Sequence, residues 1–213
     1  MWIKICGVTT VGDALLAAES GADALGLNFI EGSPRALDRA TARRVADAVR
    51  GRVELIGVVA DLATEQARAL LAELALDALQ LHGHEPPSAV AALLPRAYQA
   101  VRIGGPEDAA RAAGYGGERL LCDARVAGAL GGTGASFDWA LVRGLARQRR
   151  VIVAGGLTPD NVARAIAAVE PFGVDVASGV EASPRQKDAE RVRRFIERAR
   201  QAARRPDIPP DES

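Results

Sequence analysis

The chain reads as a single-domain α/β protein, a closed (β/α)8 TIM barrel, and three observations predict it. Short apolar runs alternate with longer Ala-, Leu-, Arg- and Glu-rich segments of helical spacing, the pattern of βα units on a parallel sheet. Eight such runs share a chain of 213 residues, inside the range of about 200 residues upward that this architecture occupies. The richest glycine loops come late, whereas an open doubly wound sheet, the structural alternative, carries its glycine-rich turn straight after the first strand.

In chain order the strand runs fall at 2–6, 24–29, 53–59, 78–81, 98–103, 119–122, 151–154 and 174–177. They are near-continuously apolar, as the strands of a wholly buried parallel sheet, covered on both sides by helices, are expected to be. The helices between them are expected at 11–20, 41–50, 64–74, 87–94, 106–113, 137–147, 159–169 and 187–203. Several helix starts are marked. Thr64 with Glu65 and Gln66 offers a cap and an acidic first turn, Thr158 stands before an N1 proline at Pro159, and Asp138 heads the sixth helix. No boundary interrupts this array, so 1–203 is one barrel, and 204–213, with Arg-Arg-Pro, Pro-Pro and Asp-Glu-Ser, is a solvated tail.

Composition narrows the partners. Lys+Arg and Asp+Glu both number 27, for a net charge of zero, which removes the electrostatic footprint of a nucleic-acid or anionic-membrane binder. A small anionic ligand is compatible with that balance. Only eight aromatic side chains are present, so the core is aliphatic and base-stacking platforms are scarce. Two cysteines, Cys6 and Cys122, make no disulfide framework, and no secretory signal or long apolar span opens the chain; a cytoplasmic protein with free thiols is expected. Monomer and homodimer both suit this surface.

In a barrel the C-terminal strand ends converge on one site. The first strand ends at Cys6-Gly7, where the cysteine is either a buried small hydrophobe or a reactive thiol with glycine allowing close approach. The second leads to Gly32-Ser33-Pro34-Arg35, whose arginine either points into solvent or grips a carboxylate in a bidentate contact. The fourth ends Gln80-Leu81-His82-Gly83-His84-Glu85. With no further histidine in the chain, His82 is a site-lining group and no metal is expected. The fifth ends Val101-Arg102-Ile103, without a carboxylate, and the sixth ends Cys122-Asp123. Asp123 is either a turn cap or a desolvated carboxyl suited to a general acid. Period-two alternation turns Cys122 the other way, into packing. Glycine loops follow the last three strands, at Gly131-Gly132-Thr133-Gly134, Gly155-Gly156 and Ser178-Gly179. Consecutive late glycine loops with a short extra helix are where barrel enzymes hold a phosphate on backbone N–H groups.

Taken together, Lys4-Ile5-Cys6-Gly7, Ser33-Pro34-Arg35, Gln80 to Glu85, Gly131 to Gly134 with Phe137-Asp138-Trp139, Ala154-Gly155-Gly156-Leu157 through Asn161-Val162, and Ala177-Ser178-Gly179-Val180-Glu181 with Lys187-Asp188 resemble N-(5'-phosphoribosyl)anthranilate isomerase of tryptophan biosynthesis. The resemblance runs in order to about residue 203. It implies an Amadori rearrangement of phosphoribosylanthranilate to 1-(2-carboxyphenylamino)-1-deoxyribulose 5-phosphate, with neither metal nor organic cofactor. It puts Asp123 at the general-acid position and Cys6 at the general-base position, the latter working as a thiolate if neighbouring positive potential lowers its pKa. Arg35 would hold the anthranilate carboxylate, His82 and Gly132 would line the substrate site, and Gly155, Gly156, Ser178 and Gly179 would hold the 5-phosphate. The chain departs from the family at Ala177, where a serine is usual, at Arg185, which replaces a flexible residue, and at Cys122, which replaces an aliphatic one. A related sugar-phosphate isomerase, a non-catalytic phosphometabolite-binding barrel and a Cys6 redox sensor are the competing readings.

Overall fold

The computed structural model describes residues 1–123 and 139–204. Its strands are β1 (Trp2–Cys6), β2 (Ala24–Asn28), β3 (Glu54–Val59), β4 (Ala78–Leu81), β5 (Ala97–Arg102), β6 (Arg119–Asp123), β7 (Arg150–Ala154) and β8 (Gly173–Val176). All pair in parallel in chain order, and β8 returns to β1, closing the barrel. The intervening helices are α1 (Val11–Glu19), α2 (Arg39–Val49), α3 (Thr64–Glu73), α4 (Pro87–Leu93), α5 (Pro106–Ala113), α6 (Trp139–Ala146), α7 (Val162–Val169) and α8 (Ala189–Arg204). No helix among the described residues is long and apolar enough to cross a membrane.

Strand alternation divides the core into two layers. One parity, including Ile3, Ile5, Leu25, Leu27, Leu79, Cys122, Val151 and Val153, packs outward against the apolar stripes of the helices. The other fills the barrel with Ala24, Ile56, Ala78, Tyr98, Ala100, Leu121, Ile152 and Ala154. Each large aliphatic removed from water contributes about 1.5–3 kcal/mol, so the outer layer carries most of the stability. At the floor, Trp2 and Phe172 stack with centroids 6.1 Å apart. Arg119 lies over both rings and pairs with Glu54 at 2.6 Å, which also accepts the Trp2 indole N–H.

Several helix starts differ from expectation. α2 begins at Arg39 because Asp38 caps it, its carboxylate accepting the Thr41 N–H at 2.8 Å. Thr64 is the first helical residue of α3, not its cap, and Ala63 before it makes no side-chain cap bond. Thr158 does not cap a helix at Pro159. Instead the Thr158 N–H donates to Asn161 Oδ1 at 2.8 Å, closing a turn that delays α7 to Val162. The last expected helix loses its start to a hairpin that apolar periodicity does not reveal, β9 (Glu181–Ser183) with β10 (Gln186–Lys187), so α8 starts at Ala189. Asp138 lies outside the described residues.

Candidate active site

Inward parity carries two charged and two polar side chains into the upper barrel: Lys4 on β1, Gln80 on β4, Tyr98 on β5 and Asp175 on β8. All are buried. β1 and β8 adjoin with Lys4 opposite Asp175 in register, and the Lys4 ammonium lies 2.8 Å from an Asp175 oxygen and donates to Gln80 Oε1 at 2.8 Å. Burial acts to lower the lysine pKa, but Asp175, Cys6 and Tyr98 together outweigh it and hold the ammonium above its ordinary range.

Cys6 ends the same strand, nearly inaccessible. Burial pushes its thiol up, while Lys4 and Lys187 pull the other way without prevailing. Positive neighbours are therefore present, but the expected lowering is not, because desolvation of a thiolate outweighs two cations that are themselves engaged elsewhere. The Lys187 ammonium donates to the carbonyls of Cys6 at 2.7 Å and Ala177 at 3.0 Å, tying β1 to the loop after β8.

Arg35 crosses this rim. At Gly7, which has φ +68°, an added Cβ would stand 2.4 Å from Arg35 Cδ, so it is the arginine stem that needs the glycine. Its guanidinium grips Glu181, Nε to Oε1 at 2.7 Å and Nη2 to Oε2 at 2.5 Å. Glu181 also pairs with Lys187 at 3.1 Å. Burial acts to raise this carboxylate, yet Arg35 and Lys187 together keep it below the usual range. Arg185 occupies the hairpin turn at φ +76° and donates to the Pro34 carbonyl. It thus braces the Arg35 loop.

Asp123 ends β6 and His82 directly follows β4 on the same rim, with His82 Nε2 3.9 Å from Asp123 Oδ2. The other face of the imidazole is engaged, Nδ1 lying 2.7 Å from Gln80 Nε2. Burial lowers the His82 pKa against the pull of Asp123. His84, by contrast, is exposed and lies near Asp61. Arg102, at the end of β5, stands opposite Asp123 in register.

After β7, Gly155 and Gly156 adopt φ +90° and +63°, and among the described residues their N–H groups donate to no acceptor. Asn161 fixes this turn by donating to the Gly156 carbonyl at 2.9 Å. Ser178 and Gly179 open the short 3-10 turn Ser178–Val180 after β8. A Cβ on Gly179 would lie 1.9 Å from the Leu157 carbonyl oxygen, so the two loops meet only because that position is glycine. Gly132 lies outside the described residues.

The structure thus brings Cys6, Arg35, His82, Asp123, Gly155, Gly156, Ser178 and Gly179 to the strand-end face of one barrel. Sequence reasoning gave no role to Lys4, Gln80, Asp175, Glu181 and Lys187. Their signal was charge at inward parity within otherwise apolar strands, and carboxylates and lysines flanking the last glycine loop. The rim can carry proton transfer at Cys6 and Asp123, with anion binding at two separate ends.

The chain matches the family model described as N-(5'phosphoribosyl)anthranilate (PRA) isomerase over residues 3–198. It is 46% identical over 203 residues to the N-(5'-phosphoribosyl)anthranilate isomerase of Myxococcus xanthus, covering 93% of this chain and 95% of the relative. The phosphoribosyl anthranilate isomerase of Thermotoga maritima superposes with a TM-score of 0.87 at 36% identity, covering 94% of this chain and 99% of that one. A phosphoribosyl anthranilate isomerase solved in complex with reduced 1-(o-carboxyphenylamino)-1-deoxyribulose 5-phosphate gives a TM-score of 0.84 at 34% identity, with the same coverage.

Proposed function

The chain belongs to the N-(5'-phosphoribosyl)anthranilate isomerase family, an enzyme of tryptophan biosynthesis, and from that premise we propose how its own residues perform the rearrangement. Asp123 protonates the furanose ring oxygen. The C1'–O4' bond breaks as the anilino nitrogen lone pair forms the C1'=N iminium. Cys6 then removes the proton on C2', whose electron pair forms the C1'=C2' bond and neutralises the iminium. The resulting enolamine tautomerises to the ketone.

The observation that carries this reading is that a thiol and a carboxyl end β1 and β6 on the same rim of the barrel as Arg35 and the glycine turns after β7 and β8. Glycine N–H groups of Gly155, Gly156, Ser178 and Gly179 hold the 5-phosphate, and Arg35 meets the anthranilate carboxylate with the donors that Glu181 leaves open. Gly132 and His82 line the space between them. Anchoring both ends fixes the reacting carbons in the geometry that makes the proton transfers effectively unimolecular. The iminium charge, formed beside the thiol, favours the thiolate that burial alone opposes. No metal or organic cofactor enters any step. All these groups come from one chain, so monomer and homodimer serve equally, and two unpaired thiols fit a cytoplasmic setting.

The test is growth of a tryptophan auxotroph lacking this isomerase. Rescue by the wild-type chain and loss of rescue with Asp123→Asn are expected. Failure of the wild-type chain, expressed and folded, overturns the reading in favour of a phosphometabolite-binding barrel.

A further inference from the structure

Polar groups of the upper barrel line up from β8 toward β6, the last step being a 3.9 Å approach of His82 to Asp123. Asp175 pairs with Lys4, Lys4 donates to Gln80 Oε1, Gln80 Nε2 meets His82 Nδ1, and His82 Nε2 faces Asp123. The direction of each bond follows from donor and acceptor chemistry. An ammonium only donates, so the oxygen of the Gln80 amide must face Lys4, and the Tyr98 hydroxyl approaches that same oxygen at 3.4 Å. The NH2 of Gln80 is then left facing His82 Nδ1, which must accept with its lone pair. The imidazole proton is left on Nε2, the nitrogen that looks toward Asp123.

We propose that Gln80, oriented by Lys4, is a positioning residue that fixes His82 as the neutral Nε2–H tautomer, so that His82 offers a donor to the Asp123 carboxylate formed as the acid gives up its proton. The role of His82 rests on the general-acid reading of Asp123; the tautomer does not. Neutrality matters here. A cation close to an acid stabilises its ionised form before substrate arrives, whereas a neutral N–H strengthens its bond as charge develops on the carboxylate. Protonating Nδ1 would set its N–H against the Gln80 NH2, donor against donor.

The groups facing the ring come from several strands: Asp123 on β6, Lys4 on β1, Asp175 on β8 and Arg102 on β5. Burial dominates and disfavours the imidazolium, with Lys4 and Arg102 acting in the same sense and the two aspartates against it. His82 makes no net proton transfer in this scheme.

The chain holds only two histidines, so 15N-labelled protein carrying His84→Asn gives a single imidazole whose long-range 1H–15N spectrum reports the tautomer. The expected spectrum has Nε2 protonated and Nδ1 bare from neutral pH to below the ordinary histidine pKa. Gln80→Glu keeps an acceptor for Lys4 but offers Nδ1 no donor. It should move the proton to Nδ1 or create the imidazolium, and lower kcat about tenfold, the equivalent of one hydrogen bond to a charged group, with KM within about twofold. Gln80→Leu should give mixed tautomers, and the wild-type spectrum stands as the test if that variant does not fold. A wild-type spectrum with the proton on Nδ1, or an unchanged tautomer in Gln80→Glu, overturns the proposal. Full turnover in Asp123→Asn with the expected tautomer overturns only the role given to His82 and the general-acid reading beneath it.

Discussion

Arg35 and Glu181, 146 residues apart in sequence, meet through two parallel hydrogen bonds of 2.7 and 2.5 Å. The pair joins the loop after β2 to the hairpin after β8 and leaves part of the guanidinium open. Glu181 titrates below the usual carboxylate range in the folded chain, so its contribution to stability is fully present above the unfolded value of about 4.3 and is lost as pH falls through the lower folded one. Glu181→Gln should therefore destabilise by about 3 kcal/mol at pH 7, since it leaves the buried Lys187 without its counter-charge. Urea unfolding across pH should show this difference shrinking once the wild-type carboxylate is itself protonated.

The acid and the base answer to different measurements. Asp123→Asn should lower kcat by about 10²- to 10⁴-fold, the usual worth of a general acid. Because burial lifts the Cys6 thiol, activity limited by its thiolate should climb through alkaline pH above the ordinary thiol value. Cys6→Ala should lose that limb along with most of its turnover. A kcat/KM profile flat from pH 7 to 10 in the wild type would remove Cys6 as the base.

Two glycines of the late loops should respond differently to the same methyl. Gly156 has φ +63° and open space around its Cβ position, so Gly156→Ala carries only the left-handed penalty of about 1–2 kcal/mol. At Gly179 the methyl would drive into the Leu157 carbonyl and the loops must separate. Gly179→Ala should raise the KM for phosphorylated substrate far more than Gly156→Ala; steady-state kinetics on both variants makes the comparison.

Removing one partner of a buried ion pair leaves an uncompensated charge, at a cost of about 3–5 kcal/mol. Lys4→Met should destabilise by that amount, because Asp175 has its ion pair with Lys4 inside the barrel. Lys4→Met with Asp175→Leu should recover much of the loss in equilibrium unfolding, yet remain catalytically impaired because Gln80 has lost the donor that orients it.

The eight strands were legible because each is a short apolar run, and the helices because their spacing is local. Helix starts were less so. Asp38 acts as a cap, but Thr158 is drawn into a turn with Asn161, and both are residue types that cap or turn with similar ease. The short hairpin before α8 carries no apolar periodicity to betray it. Cys6, His82 and Asp123 were recognisable as strand-end groups, whereas Glu181 and Lys187 stood in the matching motifs without a role, and their bracing of the rim became visible only through their contacts. Arg185, whose role the sequence left open, braces the Pro34 carbonyl.

The amino-acid sequence by itself determined the βα alternation, the strand-end placement of Cys6 and Asp123, and the glycine turns, since each rests on residues a few positions apart. Barrel closure decided the rest. Lys4 meets Asp175 across 171 residues, and this pairing exists only because β8 returns beside β1 with those two positions in register. The pKa of Cys6, the grip on Arg35 and the orientation of Gln80 follow from that closure, because desolvation and bond direction are set by every strand surrounding a group.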